Sequence, residues 1–133
     1  PADKANQYQT KENLSGLTFA VESGSAGEAQ AKDAGWTVTP VQSQADALKE
    51  VAAGTSDACI IDLLMAGAMI GEGTSYPGLT YTVALNSEEY GVGFRKGSDL
   101  TGKLNAFLKT YAADGSLLAL AKEYGLQEAV ITG

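Results

Sequence analysis

Short apolar runs that alternate with helical patterns are the feature that most restricts how this chain can fold. Runs with strand character cover residues 17–21, 36–41 and 57–62, which begin about twenty residues apart. Helical patterns cover residues 26–34 and 45–53 between them, and the second begins with a capping box of Ser43 and Asp46 and stops at Gly54. Successive parallel strands need a long crossover, usually a helix, whereas antiparallel strands need only a short turn. The order therefore predicts an α/β fold, with a mostly parallel sheet and helices on both of its faces.

The rest of the chain continues this pattern less regularly. A third helix is predicted over residues 63–70, and two further strands over residues 79–85 and 90–94. Amphipathic helices follow over residues 99–113 and 116–124, where apolar residues recur at helical spacing. These last two helices carry more apolar surface than one small sheet is expected to cover. We therefore expect the isolated chain to self-associate or to pack these helices in an unusual way.

Charge and residue types exclude several classes of function. With 16 acidic and 9 basic residues the formal charge is −7, which repels nucleic acids and anionic membrane surfaces. Histidine is absent and Cys59 is the single cysteine, which excludes Ser-His-Asp and Cys-His catalysis, histidine metal sites and a disulfide within the chain. These absences exclude a large share of enzymes. Cys59, between apolar neighbours, is expected to be a small buried residue.

The segment after the first predicted strand has the features of an anion-binding helix start. Ser25 and Glu28 have the spacing of a capping box, and two glycines permit close approach of the backbone. In α/β proteins the N–H groups of such a helix point into the crevice that binds ligands. A carboxylate suits the segment better than a phosphate, because the lysine of a P-loop and the glycine spacing of a dinucleotide loop are missing. The candidate binding residues here are Glu22, Gly24, Ser25, Ala26 and Gly27.

Asp62 is the second candidate, because it is a carboxylate between two apolar segments at the end of the third predicted strand. Such a group needs a partner, which is either the N–H groups of the following helix or a cation of a ligand. The first and third strands of such a unit are commonly neighbours, so Asp62 is expected beside the helix start at Ser25. A zwitterion fits this pair of positions, and ordinary helix capping is the alternative at each of them.

Four segments, in matching order and spacing, resemble a known family. They are GSAGE over residues 24–28, GTSDACIID over residues 54–62, EYGVGFRKGSDL over residues 89–100 and ADGSL over residues 113–117. From about residue 14 to residue 124, the chain resembles the second lobe and the C-terminal return segment of the amino-acid solute-binding proteins of ABC transporters. These are bacterial extracellular solute-binding proteins of family 3, which have the type II periplasmic-binding-protein fold.

The resemblance implies a role for each candidate residue. The helix start at Ser25, Ala26 and Gly27 receives the α-carboxylate of an amino acid, and Asp62 pairs with its α-ammonium group. Glu22 lies near this site. The family often has Thr or Ser where this chain has Ala26, and the family's first lobe, with its arginine and its aromatic surface, is missing. We therefore expect the chain alone to bind amino acids very weakly or not at all.

The resemblance also implies a domain organisation. Residues 1–13 are expected to be a linker and residues 14–88 the ligand-binding lobe. Residues 89–133 are expected to form a hinge return strand and C-terminal helices, which in the family pack on the missing lobe. The chain begins at Pro1 with neither an initiator methionine nor a signal peptide, so we expect a processed or excised piece.

The implied function is the capture of an amino acid, or of a similar small zwitterion, and its delivery to the membrane permease of an ABC importer. With this resemblance we expect a binding protein rather than an enzyme, with no catalytic residues, no metal and no cofactor. The expected location is extracytoplasmic, either periplasmic or lipid-anchored at the cell surface. Two alternatives share the fold. One is a binding-protein-like sensor module of a receptor, and the other is a dehydratase, in which Glu22 and Asp62 are the only acid/base candidates.

Overall fold

A three-stranded parallel sheet organises the first part of the chain in the computed structural model, which describes residues 1–87 and 89–131. The strands are β1 (Thr18–Glu22), β2 (Thr37–Val41) and β3 (Ala58–Ile60), in the order β2-β1-β3. Both pairings are parallel, and Val21 of β1 lies opposite Pro40 of β2 and Ile60 of β3. The predicted α/β class is therefore confirmed, and the first and third strands are neighbours as expected.

Three helices connect and follow these strands: α1 (Ala26–Asp33), α2 (Gln44–Ala53) and α3 (Leu63–Met69). The ends of α2 show why this sequence forms a helix here. Ser43 is the N-cap, and its Oγ accepts a hydrogen bond from the Asp46 N–H at 3.1 Å. Gly54 ends the helix with a φ of +76°, a conformation that glycine adopts without strain. The predicted cap and stop of this helix are thus confirmed.

Apolar clusters lie on both faces of the sheet. The buried members of the first cluster are Leu14, Phe19 and Val21, and those of the second are Leu48, Val51 and Leu79. Ile60 packs against the first cluster and Cys59 against the second, because successive residues of a strand point to opposite faces. Cys59, which we expected to be buried, is half-buried. Since α1 approaches Ile60 at Gly27 and α2 supplies the second cluster, the two helices cover opposite faces.

The first thirteen residues, which we expected to be a linker, contain short helical turns. There are 3-10 helices over Ala2–Gln7 and Lys11–Leu14. Tyr8 packs against the first apolar cluster, and the Ala2 N–H donates a hydrogen bond to the Gly78 carbonyl at 2.9 Å. This segment is therefore attached to the body that contains the sheet.

The two further strands predicted over residues 79–85 and 90–94 are absent from the described structure, so this prediction is wrong. The first segment is held by contacts other than a backbone ladder: Val83 packs against the first cluster, and the Lys11 ammonium donates to the Leu85 carbonyl at 2.8 Å. In the second segment every other residue is glycine, and the side chains of Tyr90 and Val92 are largely exposed. Alternation alone does not make a strand, because a strand also needs a partner and a face to bury.

The chain divides into two compact units, Pro1–Asn86 and Ser87–Gly133, which we call the first and second units. The second unit contains α4 (Leu100–Ala113), α5 (Ser116–Glu123) and a 3-10 helix over Gln127–Ala129. Stacked rings of Phe107 and Tyr111, with centroids 5.3 Å apart, lie along α4. Residue 88, at the expected domain boundary, and residues 132–133 lie outside the described residues.

Candidate functional site

The candidate residues gather at one edge of the sheet, where the strands have their carboxyl ends. Because β1 and β3 are adjacent and parallel, the chain leaves both strands at this edge. Residues 22–27 lie at the end of β1 and the start of α1, and Asp62 lies two residues after β3. Neighbouring strands lie ~4.8 Å apart, so the two candidate positions start from adjacent places on the sheet.

The start of α1 is capped by its own side chains. The Glu28 N–H donates to the Oγ of Ser25 at 3.1 Å, and the Gly24 N–H donates to Oε2 of Glu28 at 2.7 Å. The predicted capping box is therefore present, but the Glu28 side chain bonds to the N–H of Gly24, the residue before the N-cap, rather than to that of Ser25. Gly24 makes this turn with a φ of +78°, and Glu22 accepts from the Ser25 N–H through its carbonyl oxygen at 3.1 Å. The cap positions the helix start directly after β1.

Glu28 places a negative charge beside this helix start. The Lys32 ammonium lies 2.8 Å from Oε1 of Glu28, and the pKa of Glu28 is lowered chiefly by this hydrogen bond and then by the one from the Gly24 N–H. A carboxylate near a helix N-terminus is favourable, because the N-terminal end of the helix dipole is positive. Lys32 balances the charge of Glu28, so a ligand anion at the same helix start meets little net repulsion from this pair.

Two backbone donors remain at the start of α1. Within residues 1–87 and 89–131, the N–H groups of Ala26 and Gly27 have no acceptor, because they precede the first bond of the helical ladder. Such donors, together with the positive end of the helix dipole, attract a carboxylate. Ala26 has no side-chain hydroxyl, but its backbone N–H is in place. Among the described residues, two N–H groups at this helix start are thus without an acceptor, and the binding of an anion there stays a prediction.

The structure explains why residue 27 is a glycine, which the sequence alone does not. A Cβ atom at this position would lie 2.8 Å from Cγ2 of Ile60 and 3.2 Å from the Ile60 carbonyl oxygen. A contact of 2.8 Å is closer than carbon atoms tolerate, so only glycine allows α1 to lie this close to β3. Gly27 therefore allows the start of α1 to lie close to β3.

Asp62 is the N-cap of α3. Its Oδ1 accepts hydrogen bonds from the Leu64 N–H at 2.8 Å and from the Met65 N–H at 3.4 Å. Its own N–H donates to Oε1 of Gln44, the first residue of α2, at 2.8 Å. The capping interpretation of Asp62 is thus confirmed, and its role towards a ligand cation stays a prediction. Sequence reasoning missed Gln44, whose only signal is a polar side chain directly after the N-cap Ser43.

The opposite edge of the sheet differs from this one. There, Oδ2 of Asp57 accepts a hydrogen bond from the Thr18 N–H at 2.9 Å and joins the beginnings of β3 and β1. A groove of about 400 Å³ lies near this edge and is lined by residues 51–54 and 75–79, with Pro1. None of the candidate residues lines it. Gly24 and Ala26 are exposed and Asp62 is half-buried, so water has access to the candidate residues.

The part of the chain that the structure describes contains no group of three or more acidic or cysteine side chains able to hold a metal ion. None of the helices in that part combines the length and the apolar character that a membrane crossing requires. Compared with protein-family models, with curated proteins and with solved structures, the chain matches none of them.

Proposed function

We propose that this chain is the second lobe and C-terminal segment of an extracytoplasmic solute-binding protein, which captures an amino acid or a similar small zwitterion. Delivery to the membrane permease of an ABC importer is part of the same proposal. The observation that supports it most is that, in the described part of the chain, the N–H groups of Ala26 and Gly27 have no hydrogen-bond acceptor. They lie at the same edge of the sheet as the Asp62 carboxylate. The four motifs of the sequence support the same family.

The chemistry of an amino acid suits this edge. Its α-carboxylate is an anion that accepts hydrogen bonds from the Ala26 and Gly27 N–H groups and gains from the positive end of α1. Its α-ammonium group is a donor that Asp62 accepts in a charge-assisted hydrogen bond. Adjacent strands lie ~4.8 Å apart, so one small molecule with its ammonium and carboxylate groups on the same carbon atom can contact both positions. Glu22 adds a second carboxylate at the same edge.

Binding to this chain is expected to be weak. The candidate edge is open, so water competes for both charges and raises the effective dielectric constant between the ligand and the protein. Ligand sites with high affinity usually bury most of the ligand surface. A second surface that closes over the edge would exclude water and strengthen both contacts, which is how a two-lobed binding protein works.

A nitrogen-15 NMR titration of this chain tests the proposal. Glycine is the probe, because it carries the shared α-carboxylate and α-ammonium groups without a side chain, and acetate and methylammonium are the single-charge controls. At tens of millimolar, glycine is expected to shift the amide signals of Ala26, Gly27 and Asp62 together and saturably. Acetate is expected to act more weakly and only near α1. Equal, saturable responses to glycine and acetate would overturn the proposal.

A further inference from the structure

Gln44 connects two helix starts at the candidate edge. It is the first residue of α2, and its side-chain Oε1 accepts the hydrogen bond from the Asp62 N–H at 2.8 Å. The two residues are 18 positions apart in the chain. This bond therefore belongs to the tertiary structure, and it joins the end of the β2–α2 connection to the β3–α3 connection.

The sheet does not fix the position of Asp62. The pairing of β1 with β3 ends at Val21 and Ile60, and Asp62 follows two residues later. Asp62 is bonded to α3 through its two capping bonds and through its carbonyl oxygen, which accepts from the Ala66 N–H at 2.9 Å. The capping bonds orient the carboxylate relative to α3, whereas the bond to Gln44 holds the backbone of Asp62 relative to α2. Gln44 thus links α3 and its cap to the start of α2.

We propose that Gln44 is a positioning residue for the α-ammonium group of the ligand, acting through Asp62. The inference rests on the proposed function, because it concerns how the same site holds its ligand. Gln44 keeps the Asp62 carboxylate in place at this edge of the sheet before the ligand arrives. A carboxylate that is already in place loses less conformational freedom on binding, which raises affinity. The α-carboxylate of the ligand depends on α1 and not on Gln44.

Because Gln44 acts only on the ammonium contact, replacing it is expected to lower the affinity for glycine more than the affinity for acetate. Gln44→Met keeps the length of the side chain and removes the acceptor. A hydrogen bond contributes ~0.5–1.5 kcal/mol, so affinity for glycine is expected to fall about 2- to 12-fold. Affinity for acetate is expected to change by less than about twofold. A merely structural role would lower both affinities alike, because it would disturb the whole edge.

Two further variants make the comparison specific. Gln44→Glu keeps an oxygen that accepts from the Asp62 N–H, so it is expected to restore the amide signal of Asp62 and the preference for glycine over acetate. Gln42→Met is the matched control. Gln42 is exposed and, within the described part of the chain, its side chain makes no hydrogen bond. This control is expected to bind both probes as the unchanged chain does.

The experiment is the same nitrogen-15 titration with glycine and acetate, performed on the unchanged chain and the three variants, with thermal melts of each. Selective loss of glycine affinity in Gln44→Met, with rescue in Gln44→Glu, supports the inference. If Gln44→Met keeps the preference for glycine, or loses both affinities equally, the inference is overturned while the proposed function stands. If the unchanged chain responds equally and saturably to glycine and acetate, the proposed function fails and this inference fails with it.

Discussion

The two units of the chain bury their apolar residues very differently. The first unit has a sheet, and apolar side chains cover both faces of it in two clusters. In the described part of the second unit, only Ala121 is buried, and α4 and α5 expose large apolar side chains. A sheet offers two faces, so even three short strands organise a core, whereas two helices bury only the strip between them. Stability within each unit should therefore respond differently to the same kind of substitution.

The largest contrast is expected between buried and exposed leucines. Leu48 of α2 is fully buried, whereas Leu118 of α5 is 40% exposed. Leu48→Ala is expected to lower the free energy of unfolding by about 2–5 kcal/mol, because it leaves a cavity in the core. Leu118→Ala is expected to cost less than about 1 kcal/mol. Urea unfolding followed by circular dichroism measures both, and equal losses would contradict the contrast.

The reactivity of the Cys59 thiol measures how far water reaches the second apolar cluster. Burial raises the pKa of the Cys59 thiol from 9.0 to about 11, because burial disfavours the charged thiolate. At pH 8 the thiolate fraction is then about 100-fold lower than that of an ordinary thiol, and the thiolate is the reactive form. Ellman's reagent is expected to react with the folded chain about 100-fold more slowly than with the chain in urea. Similar rates would show that β3 is open to solvent.

A pair of helix glycines provides the next contrast. Gly27 of α1 is pressed against Ile60, whereas a Cβ atom at Gly102 of α4 would meet nothing within 4 Å. Gly27→Ala is expected to destabilise the first unit by about 1–3 kcal/mol, because the helix must move away from β3. Gly102→Ala is expected to stabilise α4 by up to about 1 kcal/mol, since alanine favours a helix. Thermal melts of both variants measure these changes in stability. A Gly27→Ala variant as stable as the unchanged chain would disprove the close approach of α1 to β3.

The smallest effect concerns association of the second unit. Large exposed apolar side chains on α4 and α5 are Leu100, Phe107, Leu108, Leu118, Leu120 and Tyr124. Exposed apolar surface of this kind promotes contact with other molecules. We expect the apparent mass in light scattering to rise with protein concentration and Phe107→Ser to reduce the rise. A chain that remains monomeric at the highest accessible concentration would contradict this expectation.

Local patterns in the sequence were sufficient for the elements that local chemistry specifies. The Ser43 cap and the Gly54 stop of α2 follow from residues within or next to the helix, and both are as predicted. The strands over residues 79–85 and 90–94 were mispredicted for the opposite reason. Strand formation depends on a partner elsewhere in the chain, and the alternation of apolar residues does not say whether one is present.

The candidate site shows the same division. The cap of α1 and the cap of α3 were predictable, because each involves residues within four positions of one another. The contact of Gly27 with Ile60 and the bond of Gln44 with Asp62 join distant residues, so no local pattern reveals them. Both contacts are formed only in the folded chain, where the tertiary structure brings these distant residues together.

The most direct test of the central claim is to remove the charge of Asp62 and repeat the glycine titration. Asp62→Asn keeps the size of the side chain and can still cap α3. Asp57→Asn is the matched control, because Asp57 also accepts a backbone hydrogen bond but lies at the opposite edge of the sheet. Thermal melts of both variants are expected to stay close to that of the unchanged chain.

If Asp62 pairs with the α-ammonium group, Asp62→Asn lowers glycine affinity to the level of acetate, because only the contacts at α1 remain. Asp57→Asn leaves the preference for glycine unchanged. The account is contradicted if Asp62→Asn binds glycine within about threefold of the unchanged chain, which is a change in binding free energy below about 0.7 kcal/mol. In that case Asp62 acts only as a helix cap.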